Sequence, residues 1–263
     1  MNNCSLFALD TAGHPKQWSV DDAERFAKKA NPQYTTFLLN KLNVASSENV
    51  LDLGCGPGTL TIPIAETARS VTAIDSSPGM LAVLKRRGDE KRLSNLVCVN
   101  KTWRDALLGE DFEAHYDVAL ASNSINLLGL QELRAADGSP FLDWNLEAAL
   151  SKLNAVAKRV YVTMPLMRHN VSETFKAFGY PCSPFPSYTI VYNVVCQLGL
   201  APDVNYFVVH QDGFDESERM VERMKWVLNL EPDRLAEIRQ KLPKYFEASE
   251  SGLQVWSLMS WTN

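Results

Sequence analysis

Long hydrophobic runs, paired cysteines and clustered histidines are all missing from this sequence. No apolar run approaches the roughly 18 residues that a membrane-spanning helix needs, and the first residues lack the basic head and apolar core of a secretory signal. The five cysteines are odd in number and form no C-x-x-C pair, so neither a disulfide framework nor a zinc site is indicated. The four histidines show no metal-ligand spacing. We therefore expect a cytoplasmic protein with no bound metal.

A strongly basic surface is also missing. The chain of 263 residues has a net charge of −5, whereas nucleic-acid-binding proteins normally carry a basic stripe. The densest basic cluster, Lys85–Arg87 with Lys91 and Arg92, lies on a predicted helix and the turn after it, where cations are commonly solvated. The charge disfavours a nucleic-acid partner without excluding RNA, no membrane partner is predicted, and the oligomeric state stays open.

The most informative segment runs from Asn49 to Thr59 and reads NVLDLGCGPGT. A short apolar run ends in a turn with three glycines, which opens into a helical pattern. A second apolar run then ends in Asp75. Strand, glycine turn, helix, strand and acid in this order are typical of a site that binds a nucleoside.

The spacing of the glycines separates two classes of nucleoside site. Dinucleotide sites need G-x-G-x-x-G so that a helix N-terminus can face a pyrophosphate. Here Gly54, Gly56 and Gly58 are each two residues apart, and Thr59 stands where a dehydrogenase has its third glycine. Asp52, just before the turn, would repel a pyrophosphate and attract an ammonium. These features disfavour a dehydrogenase.

Two stretches carry a resemblance to a known family. Leu51–Gly58 matches every position of the motif hydrophobic-D/E-x-G-x-G-x-G, and Asp75–Leu81 has an acid first and a methionine five residues later. In both respects the chain resembles the class I S-adenosylmethionine-dependent methyltransferases. The resemblance implies S-adenosyl-L-methionine as the cofactor and S-adenosyl-L-homocysteine as the product.

The resemblance also implies roles for individual residues. Gly54 and Gly56 would let the backbone approach the methionine portion of the cofactor, and Asp52 would attract its α-ammonium. Asp75 would accept hydrogen bonds from both ribose hydroxyls. Met80 would offer a polarizable face to adenine, unless it is an ordinary core residue. The predicted cofactor-binding residues are Asp52, Gly54, Cys55, Gly56, Asp75, Ser76, Met80, Thr102, Trp103 and Ser122.

Alternating strand and helix patterns predict an α/β fold. Ser19 and Asn31 are expected to begin two N-terminal helices, and a further helix is expected over 142–157 with Asp143 as its cap. Helices are also predicted at about 215–229 and 232–247. The predicted strands are 49–53, 71–75, 96–100, 117–121, 159–163, 204–210 and 253–261.

These elements predict a three-layer, Rossmann-like, seven-stranded sheet that is mostly parallel with an antiparallel last strand. We expect one domain over residues 1–263. Residues 1–45 would form an N-terminal helical cover, and residues 46–163 the cofactor-binding core. Residues 164–263 would complete the sheet and add helical and aromatic insertions on the substrate side.

Ligands of open α/β sheets bind beyond the carboxyl ends of the strands, where the strand order reverses. After strand three, Trp103 would either cover adenine by stacking or pack in the core. After strand four, Ser122-Asn123-Ser124 replaces the N/D-P-P-Y/F of enzymes that methylate base amines, which disfavours that activity. The candidate substrate-binding residues are Trp18, Tyr34, Asn123 and Tyr188. Further aromatics, either pocket walls or packing residues, are Phe141, Trp144, Tyr180 and Phe185.

The expected reaction is in-line transfer of a methyl group to a small-molecule acceptor, with positioning as the main contribution of the protein. No catalytic residue is assigned. Two alternatives stay open: a methyltransferase that acts on RNA or protein, and a catalytically silent relative that binds the cofactor only.

Overall fold

The computed structural model describes residues 18–125, 130–134, 140–166, 177–179, 187–210, 218, 220–221, 224, 231–242 and 253–263. Its helices are α1 (Val20–Lys28), α2 (Pro32–Leu42), α3 (Thr61–Ala65), α4 (Pro78–Glu90), α5 (Leu146–Val156), α6 (Tyr188–Gln197) and α7 (Pro232–Lys241). Its strands are β1 (Asn49–Leu53), β2 (Ser70–Ile74), β3 (Leu96–Val99), β4 (Tyr116–Ser122), β5 (Leu130–Arg134), β6 (Pro140–Trp144), β7 (Ala157–Pro165), β8 (Asp203–His210) and β9 (Leu253–Thr262).

Seven of these strands form one sheet in the order β3-β2-β1-β4-β7-β9-β8. The last strand, β9, runs antiparallel to both of its neighbours, and the other pairings in this sheet are parallel. The predicted Rossmann-like sheet with an antiparallel last strand is therefore confirmed. The strand order reverses between β1 and β4, which is the position where open sheets of this kind bind ligands.

Helices cover both faces of the sheet, because its central strands are apolar on both sides. On one face, α2 and α3 pack against β1 and β4 around Leu38 and Leu120. On the opposite face, α5 and α6 pack around Leu150 and Val195. No helix in the described ranges is long and apolar enough to cross a membrane.

The two N-terminal helices begin at the predicted caps. Ser19 Oγ accepts a hydrogen bond from the Asp22 amide, and Asn31 Oδ1 accepts one from the Gln33 amide. The start of α2 is also fastened to the end of β8, because Asn31 Nδ2 donates to the His210 carbonyl at 2.8 Å and the His210 amide donates to Gln33 Oε1 at 2.9 Å. The segment from Asn31 is thus a helix start, as interpreted from the sequence.

Helix α1 packs directly against the first turn of α4. A Cβ on Gly79 would lie 2.2 Å from the Trp18 carbonyl oxygen, so no side chain fits between the two segments. The Trp18 side chain joins a small cluster with Ala23, Met80 and Val83. This contact places the start of α1 beside the loop that follows β2.

One predicted helix is partly wrong. Residues 140–144 form β6, which pairs with β5 in a separate antiparallel hairpin, and α5 begins only at Leu146. Asp143 lies opposite Gln131 in that hairpin, and the helix cap is Asn145, whose side chain accepts from the Ala148 amide at 3.0 Å. The period of a short apolar run does not distinguish a strand from a helix. Residues 140–144 form a strand because they pair with residues 130–134.

Candidate functional site

The glycine turn, residues 54–58, connects β1 to the region of α3 at the carboxyl edge of the sheet. Two of its glycines are required by packing within the protein. A Cβ on Gly54 would lie 2.3 Å from Ser124 Cβ in the loop after β4, and a Cβ on Gly58 would lie 2.3 Å from Leu84 Cδ1 of α4. A side chain at Gly54 would collide with Ser124, and one at Gly58 would have to displace the buried side chains of Leu84 and Ile62.

Gly56 has a different environment. Among the described residues, a Cβ at this position would meet Met80 Sδ alone, at 3.9 Å, so this part of the chain leaves the space in front of Gly56 open. Its φ of +55° lies in the left-handed region, which costs other residues about 1–2 kcal/mol. The Gly56 amide donates to Asp75 Oδ2 at 2.9 Å. The turn, Met80 and the acid after β2 therefore border one open space.

Asp75 retains hydrogen-bonding capacity for a ligand. Its Oδ2 accepts from the Gly56 amide, and its Oδ1 accepts from the Ser77 amide at 2.8 Å. Partial burial raises the pKa of this carboxyl, while the two amide hydrogen bonds oppose that rise. Each carboxylate oxygen has a second lone pair, so both oxygens can accept one more hydrogen bond. Ser76, the neighbouring predicted site residue, is exposed.

Asp52, the second-last residue of β1, is a buried carboxyl with a neutral partner. Its side chain is 2% exposed, and Oδ2 accepts from the Thr61 hydroxyl at 2.6 Å. Burial, assisted by the negative charge of Asp75, raises the pKa of Asp52 to about 7. A ligand cation placed beside this carboxyl would stabilise its ionised form strongly.

Three hydroxyl groups meet at the carboxyl ends of β4 and β7, and we call them the hydroxyl cluster: Tyr34, Ser122 and Thr163. Tyr34 Oη lies 2.6 Å from both Ser122 Oγ and Thr163 Oγ1, and Thr163 Oγ1 donates to Ser122 Oγ at 3.3 Å. The cluster joins α2 to the centre of the sheet. Sequence reasoning missed Thr163, although a polar residue near the end of an apolar strand is a usable signal.

The phenol of Tyr34 is fixed in place and stays neutral. Its ring packs against Trp256 and Phe207, with centroid distances of 4.5 and 5.7 Å. Burial raises the pKa of Tyr34 to about 12. At neutral pH this hydroxyl therefore donates or accepts hydrogen bonds but does not act as a base.

The segment after β4 divides into an exposed part and a buried part. Asn123 is exposed and has a φ of +54°, and its amide donates to the Thr163 carbonyl at 2.9 Å. Ser124 is 2% exposed and donates to the Leu53 carbonyl at 2.6 Å. Ser124 therefore closes the junction of β1 and β4, while Asn123 remains available to a ligand.

Comparison with known proteins identifies the family. Residues 50–137 match the methyltransferase domain family. Coclaurine N-methyltransferase, solved with N-methylheliamine and S-adenosylhomocysteine, is similar with a TM-score of 0.57 and 16% identity, covering 100% of this chain and 77% of that one. This chain belongs to the class I methyltransferase family. Its Rossmann-like sheet with an antiparallel last strand is the fold of that family.

Two further relatives extend the comparison beyond the methyltransferase domain. Phosphoethanolamine N-methyltransferase 2 of Haemonchus contortus has a TM-score of 0.53 and 15% identity, with 95% of this chain and 61% of that one covered. An uncharacterized protein of Haemophilus influenzae is 30% identical over 247 residues, which cover 92% of this chain and 80% of that protein. The similarity to that bacterial protein therefore includes most of this methyltransferase-family chain.

In this methyltransferase-family chain, Trp103 does not face the crevice. Its side chain is 2% exposed, and Nε1 donates to the Ala149 carbonyl of α5 at 3.0 Å. The ring packs against Phe112, and Lys152 Nζ lies 4.2 Å from its centroid. Of the two roles expected for Trp103, the structure favours packing in the core over stacking on adenine, because the indole fills the space between sheet and helix. Thr102 is exposed, and its hydroxyl donates to Asp105 Oδ2 at 2.6 Å.

The position of Trp103 leads to a testable expectation. Trp103→Phe should lower the free energy of unfolding by roughly 1–3 kcal/mol, because the core loses volume and the hydrogen bond to α5. Cofactor affinity should change less than twofold. Urea unfolding and calorimetric titration with S-adenosylhomocysteine measure the two effects. A tenfold loss of affinity for S-adenosylhomocysteine in a well-folded variant would indicate that Trp103 does stack on adenine.

The remaining predicted residues of this methyltransferase-family chain are distributed over both faces of the sheet. Trp18 is half-buried beside Met80. Tyr188 begins α6, on the opposite face from α2, and its Oη accepts from the Tyr206 hydroxyl at 3.2 Å. Cys55 is buried, and burial raises the pKa of its thiol. Tyr180 and Phe185, and the side chains of Phe141 and Trp144, lie outside the described residues.

Proposed function

We propose that this protein transfers a methyl group from S-adenosylmethionine to a small molecule by in-line displacement. The observation that carries the proposal is the space that the described residues leave open in front of Gly56, bordered by Asp75 directly after β2. The buried carboxyl of Asp52 on β1, whose hydrogen-bond partner is the Thr61 hydroxyl, lies close enough to Asp75 to interact with its charge. A nucleoside with a vicinal diol and an ammonium group matches these two acids. The structure of coclaurine N-methyltransferase, which has the same fold, contains bound S-adenosylhomocysteine, and this supports the choice of ligand.

The chain supplies orientation and charge in this proposal. S-adenosylmethionine, when bound, supplies both the methyl group and its own leaving group. Asp75 would hold the ribose hydroxyls, Asp52 would hold the α-ammonium, and Gly56 would permit close approach of the backbone. Holding two reactants in line in this way contributes as much as about 7–11 kcal/mol to lowering a barrier.

A small-molecule acceptor is favoured by the state of the basic cluster on α4. Arg86 forms an ion pair with Glu24, and Lys91 forms one with Glu66 at 2.9 Å. Arg87 donates to a carbonyl of the glycine turn at 2.7 Å. Three of the five cations of this cluster are thus engaged within the protein, which reduces the free positive charge that phosphate backbones require.

The proposal is tested by calorimetric titration with S-adenosylhomocysteine, followed by incubation with S-adenosyl-L-[methyl-³H]methionine and small-molecule or macromolecular acceptors. Micromolar binding with label transferred to small molecules is the expected result. Label in RNA or protein would select that alternative. Well-folded protein that ignores the ligand at millimolar concentration would refute the proposal.

Asp75→Ala should weaken S-adenosylhomocysteine binding by at least ~1.5 kcal/mol, about tenfold, because charge-assisted hydrogen bonds to the ribose are lost. The affinity of Asp75→Asn should lie between those of wild type and Asp75→Ala, since one acceptor oxygen remains. The matched control is Asp89→Ala, which removes an exposed carboxylate from the same region of the chain. Equal affinity of Asp75→Ala and wild type by calorimetry would eliminate the ribose role.

A further inference from the structure

We infer that the hydroxyl cluster of Tyr34, Ser122 and Thr163 receives the reacting group of the acceptor and selects a primary or secondary amine. The inference rests on the proposed function and adds to it the chemical class of the acceptor atom. It is carried by the geometry of three hydroxyls in mutual contact beside the glycine turn.

The hydrogen-bond count of the cluster determines what it can recognise. Thr163 donates to Ser122, and closing the remaining two contacts requires Ser122 to donate to Tyr34 and Tyr34 to donate to Thr163. All three protons are then used inside the cluster. Each oxygen keeps one lone pair. Thr163 is fully buried, so the half-buried Ser122 and Tyr34 are the members that can accept a further hydrogen bond, and the cluster offers none. An approaching ligand group must itself carry N–H or O–H protons.

The position of the cluster relative to the proposed cofactor follows from the strand register. Asp52 on β1 lies opposite Leu120 on β4, so Ser122 is two residues further along and level with Gly54 at the start of the turn. Asp75 directly follows β2, which lies on the other side of β1. Burial and the nearby negative charge of Asp52 both raise the pKa of Tyr34, which shows that the cluster lies close to the carboxyl proposed for the ammonium. The methionine portion of the cofactor, which includes the sulfonium, would therefore lie beside the cluster.

An amine fits this subsite better than a hydroxyl does. A hydroxyl acceptor requires a general base, and the three neutral hydroxyls of the cluster do not provide one. A neutral amine donates its N–H protons to the cluster oxygens and keeps its lone pair for the methyl carbon. The nitrogen lone pair forms the N–C bond, the C–S bond breaks with its electron pair passing to sulfur, and the new ammonium then loses a proton to water.

Sinefungin tests this subsite without knowledge of the acceptor, because it carries an amine in place of the sulfonium methyl group. Wild-type protein should bind sinefungin about tenfold more tightly than S-adenosylhomocysteine. In Tyr34→Phe and in Thr163→Val, that preference should fall at least fivefold, since an accepting oxygen is removed or reoriented. Affinity for S-adenosylhomocysteine should stay within about twofold of wild type in both variants.

The matched control is Tyr161→Phe, which removes a phenol oxygen from the same face of β7 and should leave the preference for sinefungin intact. Equal affinity of wild type for the two compounds, or a preference that survives both cluster substitutions, would overturn the inference. Binding of neither compound would instead refute the proposed cofactor. Calorimetry of the full chain at one pH and one salt concentration provides all of these values.

Discussion

Asp52→Asn is expected to weaken binding of S-adenosylhomocysteine about a hundredfold and to stabilise the ligand-free protein at pH 8. The first effect arises because asparagine cannot form a charge-assisted pair with the α-ammonium, a loss of roughly 2–3 kcal/mol. The second arises because the buried carboxyl, whose pKa is raised to about 7, carries an unfavourable charge above that pH. One substitution thus changes binding and stability in opposite directions.

The sign of the pH dependence follows from the raised pKa of the folded state. Unfolded Asp52 ionises near its ordinary value of 3.8, whereas the folded carboxyl holds its proton until about pH 7. Its contribution to stability is therefore fully present below pH 3.8 and is lost as the pH rises to about 7. The loss is on the order of 2–4 kcal/mol. Urea unfolding of wild type and variant at pH 5 and pH 8 measures it.

Asp117 provides a control, because its pKa is shifted in the opposite direction to that of Asp52. Its carboxylate accepts from Lys158 Nζ at 2.7 Å and from the Asn49 amide at 3.0 Å, and these hydrogen bonds lower its pKa. Asp117→Asn should therefore reduce stability at pH 8 and leave S-adenosylhomocysteine binding unchanged. If Asp52→Asn also lost stability at pH 8, the buried carboxyl would have a cationic partner, and the assignment of the ammonium site would be wrong.

Ligand binding should itself depend on pH. A cation beside Asp52 favours the ionised carboxyl, so binding below about pH 7 requires release of a proton. Affinity for S-adenosylhomocysteine is expected to fall as the pH is lowered from 8 to 6, and Asp52→Asn should remove most of that dependence. This linkage separates an ammonium-binding carboxyl from a purely structural one.

The order of strands and helices could be predicted because buried parallel strands are short apolar runs between helical patterns. The hairpin of β5 and β6 could not, since its existence depends on pairing between two short segments rather than on periodicity. Likewise, nothing in the sequence around Trp103 shows that α5, more than 40 residues later, supplies the Ala149 carbonyl for its indole.

The glycine motif illustrates the same limit within the site. The sequence predicted the turn and the acid after β2, because both are contiguous patterns. It assigned Gly54 a ligand-facing role, whereas the structure shows that Ser124, 70 residues later, already excludes a side chain there. Only the three-dimensional contacts separate Gly56, which borders open space, from the two glycines that pack against other parts of the chain.

Gly56→Val should abolish measurable cofactor binding, a loss of more than a hundredfold, while the protein still unfolds cooperatively. The valine side chain would project into the space that the ligand needs, and Met80 Sδ is the one atom of the described residues outside the turn within 4 Å of its Cβ. The cost to stability is expected to be about 1–3 kcal/mol, because a β-branched residue is strained at a φ of +55°.

Gly58→Ala is the matched control, because it adds a smaller group to the same turn at a position where packing forbids it. Its Cβ would meet Leu84 Cδ1 at 2.3 Å and its φ is +85°, so its stability loss should reach roughly 2–4 kcal/mol. Where it remains folded, it should retain a larger share of S-adenosylhomocysteine affinity than Gly56→Val does. We expect Gly56→Val to lose binding and keep most of its stability, and Gly58→Ala to lose stability and keep more of its binding. That contrast would distinguish the ligand-facing glycine from the packing glycine. Normal binding by Gly56→Val would place the ligand elsewhere.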